Sequence, residues 1–245
     1  MVGCVEVRIG TCRLFLGDAG DVLPHLCGIA DLFITDWPYR LTSGGNGSQV
    51  MGGVFASDRY DNGGELIQVV PWEALQRPIW SACKVNADAY VMANDKNVFK
   101  AHAAFEAAGW QLHNLLDWDK VRATRNRWYM KHKEFTVYLW KGRARVINFP
   151  KSMQSFQLNA RRVTDHPTEK PVEVMQHYIE NSSDLGGVVL DPFMGTGATL
   201  VAAAQAGRVG VGIEIEPEWF GVACERVAEA QGIPSARWDV VRAVA

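Results

Sequence analysis

Apolar and polar positions along the chain sort it into strands and helices. Residues 5–9 and 13–16 are short apolar runs parted by Gly10 and Thr11, the pattern of a hairpin, and the run at 31–35 reads as a buried strand ahead of a turn at Trp37 and Pro38. Residues 88–93 predict a strand, 96–108 an amphipathic helix ending at Gly109, and 111–118 another strand, which together make a βαβ unit. Residues 135–140 and 145–149 are further strand candidates. Pro171 opens a helix reaching Asn181, because its fixed φ suits a first turn. A strand at 188–190, a helix at 196–205, a strand at 209–215 and a helix at 217–230 follow. Such alternation predicts an α/β fold with a doubly wound, mostly parallel sheet.

Residues 42–64 break this order. They hold seven glycines and no apolar period, so a long mobile loop is expected there, close to the active site. A length of 245 residues suits one α/β domain, 1–245, with a small insertion. Hydrophobic residues at 48% and charged residues at 21% exclude general disorder. No run of about 18 uncharged apolar residues occurs, and residues 1–10 lack the order of a signal peptide, so no membrane segment and an intracellular, soluble protein are expected. The five cysteines are scattered and never form a C-x-x-C pair. That pattern favours reduced thiols over a disulfide framework, and no metal site is expected.

The formal net charge of −2 changes meaning once it is located. Residues 120–145 carry nine bases against the single acid Glu134, a local +8 that leaves −10 on the remainder. Trp128 and Tyr129 stand among Arg125, Arg127, Lys131 and Lys133, a mixture of bases and aromatics suited to phosphates and unstacked bases.

Near the C-terminus, Asp191-Pro-Phe193-Met-Gly195-Thr196-Gly197 follows a strand and opens a helix, the place where an open α/β sheet holds a ligand. Gly195 and Gly197 permit a tight turn and close approach of backbone to that ligand. A dinucleotide fingerprint would require a third glycine, but Leu200 stands there, which disfavours NAD. Glu214, at the end of the next strand, is placed to accept hydrogen bonds from ribose hydroxyls.

This run, preceded by His166-Pro-Thr168-Glu-Lys170-Pro, resembles the cofactor motifs of the β group of DNA amino-methyltransferases, which use S-adenosyl-L-methionine (AdoMet). Asp36-Trp37-Pro38-Tyr39 resembles the same family's catalytic tetrapeptide, usually Asp-Pro-Pro-Tyr. The catalytic motif comes first and the cofactor motif last, the family's circularly permuted order. The resemblance implies an AdoMet-dependent methyltransferase Rossmann-like fold with a small DNA-recognition insertion. It places the methionine part of AdoMet against Asp191, Phe193 and Gly195, with Thr196 and Gly197 in the same loop. Glu214 would hold the ribose, His166, Thr168 and Lys170 would form the pocket floor, and Asp18 would meet the adenine ring.

Chemistry accounts for the tetrapeptide. The lone pair of an adenine N6 amine is delocalised into the ring, so the enzyme must favour the pyramidal amine that forms as transfer begins. Asp36 and the carbonyl of Trp37 can accept its two N–H bonds and aim the lone pair at the methyl group. Pro38 directs that carbonyl, and Tyr39 offers a face for an extruded base. Tryptophan where proline is usual should keep the carbonyl but loosen its aim.

The resemblance further implies double-stranded DNA as partner, with residues 120–165 as the DNA-contacting region. Arg122, Arg125, Arg127, Lys131, Lys133, Arg143, Arg161 and Arg162 are the candidate DNA contacts. It also implies a homodimer, and a cytoplasmic place on bacterial DNA, the gene being cellular or phage-borne. Asp36 favours adenine; cytosine-N4 enzymes usually begin the tetrapeptide with serine, and relatives acting on RNA or protein amides with asparagine. A DNA-binding regulator retaining AdoMet without turnover is the reading from another class.

Overall fold

The computed structural model describes residues 4–39, 69–124, 129–160, 163–164, 166 and 168–242. The predicted hairpin is present as β1 (Val5–Ile9) and β2 (Cys12–Leu16), antiparallel and in register from Val5 opposite Leu16 to Ile9 opposite Cys12. With β3 (Ala30–Asp36), β4 (Cys83–Ala93), β5 (Gln111–Thr124), β6 (Lys131–Lys141), β7 (Ser155–Gln157), β8 (Val188–Asp191), β9 (Val209–Glu214) and β10 (Asp239–Arg242) they form one sheet. Its order is β10-β1-β2-β9-β8-β3-β4-β6-β5-β7. The neighbours β2, β9, β8, β3 and β4 are mutually parallel. β6 runs antiparallel between β4 and β5, so the expected βαβ unit exists with a later strand slipped into its middle.

The central strands carry short unbroken apolar runs, Leu32 to Ile34 on β3 and Ala89 to Ala93 on β4, because both of their faces are covered there. On β3, Leu32 and Ile34 enter one core cluster and Phe33 another; on β4, Tyr90 and Met92 oppose Ala89 and Val91 in the same way. Helices α1 (Ala19–Val22), α2 (Gln76–Ala82) and α3 (Val98–Ala107) cover the Phe33 side. The other face is covered by α4 (Val172–Ser182), α5 (Ala198–Gln205) and α6 (Pro217–Gln231). The chain leaving β8 enters α5 on one face, whereas the chain leaving β3 comes to α2 on the other. A crevice therefore opens between the C-terminal ends of β3 and β8, where ligands of doubly wound sheets sit.

The segment 145–149 is not a strand. Its polar groups cap the C-terminus of α4 instead: Asn148 Nδ2 donates to the carbonyls of Glu180 and Ser183, its N–H donates to the carbonyl of Asn181, and Phe149 N–H donates to Asn181 Oδ1. Helix ends leave carbonyls without partners, and α4 has no glycine cap to redirect them. Pro171 is the residue just before α4 rather than its first helical one, and α5 begins at Ala198 because Gly197 is held at φ +79°. Beyond the sequence expectations lie α1, α2, β7, β10 and the long extensions of β5 and β6. All five cysteines are free, with Cys12, Cys83 and Cys224 buried. Among the described residues no helix is long and apolar enough to cross a membrane. The expected loop at 42–64, and Arg125, Arg127, Trp128, Arg161 and Arg162, lie outside the described residues.

Candidate active site

β3 ends on Asp36, and the three residues after it are clamped rather than loose. Val70 N–H donates to the Pro38 carbonyl at 3.0 Å, and the Trp37 indole N–H donates to the Val70 carbonyl at 2.8 Å. The Trp37 ring is 2% exposed, stacks on Trp72 at 5.2 Å and meets Phe105 and Phe193 edge-on. Its bulk thus fills the core beneath the crevice and anchors the backbone that a second proline would otherwise stiffen. Tyr39 also stacks on Trp72, at 6.0 Å, and its hydroxyl accepts the N–H of Asn94 at 3.0 Å. Burial, then the nearby Asp36 charge, raises the Tyr39 phenol above its usual range, so it stays neutral.

Asp36 does not stand alone. The ammonium of Lys170, 134 positions away in the chain, donates to Asp36 Oδ2 and also to the Thr168 carbonyl at 3.3 Å. Protein encloses the Asp36 carboxylate closely, although a quarter of its side-chain surface still meets solvent. Burial pushes this carboxyl above the ordinary range, with Lys170 opposing that rise and Glu134 adding to it. Lys170 is raised in turn: burial works against its charge, but Asp36 and Glu134 more than offset it. Lys170 thus favours the ionised form of Asp36 against burial and holds one of its oxygens at the mouth of β3.

The parallel register of β3 and β8, Leu32 opposite Val189 and Phe33 opposite Leu190, brings the loop after β8 alongside. Asp191 is 3% exposed and spends its carboxylate on that loop, accepting Phe193 N–H at 3.1 Å and the Thr199 hydroxyl at 2.6 Å. Burial pushes Asp191 up to about 7, those two donors opposing the rise. Gly195 and Gly197 both have positive φ, +52° and +79°, and a Cβ on Gly197 would come within 3.0 Å of the Ala223 Cβ on α6. Glycine is therefore required there for backbone shape and for helix packing.

Glu214, at the end of β9, accepts Gly195 N–H and Glu216 N–H at 2.9 Å each, one on each oxygen, and burial raises it. A carboxylate offers about four lone-pair sites, so two remain for hydroxyl donors. His166 lies beside Gly195 and packs edge-on against Trp219 at 4.7 Å. These residues, with Phe193, gather round one end of the crevice. Asp18 is exposed and caps α1 by accepting Gly20 N–H at 2.6 Å. The Lys170 ammonium turns to Asp36 and not to the loop after β8.

Three participants escaped the sequence reading. Arg226 on α6 donates to the Thr196 carbonyl at 2.8 Å and hydroxyl at 2.6 Å, and pairs with Glu169 at 2.9 Å. Glu169, 3% exposed on its side chain, also accepts the N–H groups of Val163 and Thr164 at 2.9 Å. The pair thereby ties the segment carrying His166 and Lys170 to the loop carrying Thr196. Nothing local in the sequence marks Arg226, since it occupies an ordinary position on an amphipathic helix. Glu134, the third, was marked by being the lone acid in a basic run.

The basic stretch is less free than its charge implies. Lys131 pairs with Asp95 at 2.8 Å, Lys133 with Asp117 at 2.9 Å, and Arg145 with Asp184 at 2.9 Å. Lys141 is buried, donating to the Cys83 carbonyl and lying 4.4 Å over the Trp80 ring. Arg122 and Arg143 are exposed, as is Tyr129 at 93% at the start of the run into β6.

The sequence profile of the N6_N4_Mtase family, described as DNA methylase, matches residues 30–225. The type II methyltransferase M2.DpnII of Streptococcus pneumoniae is 26% identical over 225 residues, covering 80% of this chain and 82% of the relative. Among solved structures, the M1.HpyAVI–SAM complex superposes with a TM-score of 0.66 at 23% identity, over 88% of this chain and 99% of that one. PvuII DNA methyltransferase, named as cytosine-N4-specific, superposes with a TM-score of 0.68 at 14% identity, over 89% and 87%. The chain belongs to the N6/N4 DNA methylase family. It is a DNA methyltransferase built on that family's α/β fold.

Proposed function

We propose that this enzyme transfers the methyl group of AdoMet to the N6 amine of an adenine extruded from duplex DNA. The observation that carries the proposal is the placement of Asp36. Its carboxylate ends β3 beside the β8 loop, and Trp37 touches Phe193 across the gap, so an amine on Asp36 would lie next to a cofactor on that loop.

The residues round the β8 loop fit AdoMet. Spare lone pairs on Glu214 suit ribose hydroxyls, the backbone of Gly195 faces the His166 ring with no side chain between, and Phe193 supplies an apolar wall. AdoMet would supply the activated methyl group. Asp36 and the Trp37 carbonyl would accept the two amine N–H groups and orient the lone pair, which lowers the barrier chiefly through alignment. Tyr39, neutral and braced by Trp72, would stack on the base. Arg122, Arg143, Lys131 and Lys133 would meet phosphates, with salt weakening the contact by a slope of roughly −0.9 per neutralised phosphate.

The aspartate favours adenine over cytosine. Incubating the protein with labelled AdoMet and unmethylated genomic DNA, then identifying the labelled nucleoside by mass spectrometry, decides the matter. N6-methyldeoxyadenosine is the expected product. Label in N4-methyldeoxycytidine would transfer the same chemistry to cytosine, and DNA left unlabelled under conditions where AdoMet binds would refute the proposal.

A further inference from the structure

The Lys170 ammonium is shared. Besides Asp36 it faces Glu134 Oε2 at 3.5 Å, and the other Glu134 oxygen is held by Lys120. Glu134 sits on β6 directly opposite Trp118 on β5, and Lys120, two residues further along β5, projects on the same side of the sheet. Four charges thus alternate in sign from the β5–β6 pair to the crevice: Lys120, Glu134, Lys170, Asp36. They are largely enclosed, with side-chain exposures of 35%, 27%, 13% and 25% in that order. Burial works against the charge of Glu134, yet Lys170 and Lys120 together hold its carboxyl below the ordinary range.

This arrangement solves a difficulty at Asp36. A carboxylate engaged with one buried lysine is a weakened acceptor for a neutral amine, and an amine's hydrogen bond does not compensate for stranding a buried ammonium. A second carboxylate within reach removes the penalty, because the lysine can lean towards it and remain paired.

We infer that Glu134 is a positioning residue that shares the Lys170 ammonium with Asp36, letting the lysine lean away from Asp36 Oδ2 as the target amine arrives. The inference rests on the reading of Asp36 as the amine acceptor. The ionisable groups around Asp36 are Lys170 and Glu134, with Lys120 beyond them, Tyr39 on its own segment and Asp191 on the adjacent strand end. Of these, Lys170 favours the ionised form of Asp36 and Glu134 opposes it. Losing Lys170 should therefore move the acid limb of activity to higher pH, and losing the Glu134 charge should move it to lower pH.

The test compares Glu134→Gln, Glu134→Asp, Lys170→Met and Asp36→Ala in single-turnover methylation of genomic DNA across pH. Calorimetry with AdoMet and carboxyl-carbon NMR of Asp36 in the free protein accompany it. Glu134→Gln should slow transfer on the order of tenfold, the equivalent of one acceptor interaction. It should leave AdoMet affinity unchanged and lower the Asp36 titration, while Lys170→Met raises it and Glu134→Asp restores most of the rate. Wild-type rate in Glu134→Gln, titrations of Asp36 moving the same way in both variants, or AdoMet affinity falling in step with rate would each overturn the shared-lysine role. Methylation persisting in Asp36→Ala would instead overturn the assignment of Asp36 itself, whatever Glu134 does.

Discussion

Trp37 and Val70 hold each other's segments in place: the indole N–H of Trp37 donates to the Val70 carbonyl at 2.8 Å while Val70 N–H donates to the neighbouring Pro38 carbonyl at 3.0 Å. The departure from the usual Asp-Pro-Pro-Tyr is thus absorbed by packing. Replacing Trp37 with the more usual proline should not improve the enzyme. It would empty the space between Trp72, Phe105 and Phe193 and leave the Val70 carbonyl without its donor, at a cost of about 3–5 kcal/mol in stability. Denaturant unfolding of Trp37→Pro measures this directly, and a variant as stable as wild type would show that the ring is not an anchor.

The two ends of the crevice should separate by mutation. Asp36→Ala should abolish methyl transfer while AdoMet still binds, because Asp36 ends β3 and its polar contacts are with Lys170. Glu214→Ala should weaken AdoMet by about 1.5–3 kcal/mol, the worth of hydrogen bonds to a charged group. It also releases Gly195 N–H and Glu216 N–H, so part of that loss would come from a loosened loop. Calorimetry on both variants is sufficient. Unchanged affinity in Glu214→Ala would remove it from the cofactor site.

The Glu169–Arg226 pair gives a third expectation. Arg226→Met should destabilise the protein by about 3 kcal/mol, since it strands a carboxylate whose side chain is 3% exposed. It should also weaken AdoMet, because Thr196 loses both of its bonds to the arginine. Adding Glu169→Gln should recover much of the stability, and a double-mutant cycle reads the coupling. Strictly additive effects would contradict the brace.

A fourth concerns pH. Burial holds Asp191 at about 7 in the folded protein, against 3.8 when solvated, so the folded state binds this proton more tightly. Its contribution is complete at low pH and is lost as pH rises from about 4 through 7. Asp191→Asn carries no such charge and can still engage Phe193 N–H and Thr199. The variant's melting temperature should therefore gain on wild type as pH goes from 5 to 8. Parallel melting curves across that range would show that Asp191 ionises without cost.

Much of the fold was legible in the residues themselves. The apolar runs within β3 and β4 read as buried strands, and glycines at 195 and 197 after a strand marked a tight turn, because side-chain period and backbone freedom are local properties. The two motifs follow β3 and β8, which the sheet sets side by side. The segment 145–149 misled because an apolar pattern does not reveal that its amides are needed to cap α4, an end that lies more than thirty positions on.

Tertiary structure alone decided the partners. It placed Lys170 on Asp36 rather than on the loop after β8, folded Trp37 into the core, buried Lys141 against the Trp80 ring, and joined Arg226 to Glu169. Sequence specifies which side chains can carry charge. Which carboxylate meets which ammonium depends on the strand ends that the sheet order brings together, and a buried charge must take whatever partner that order supplies.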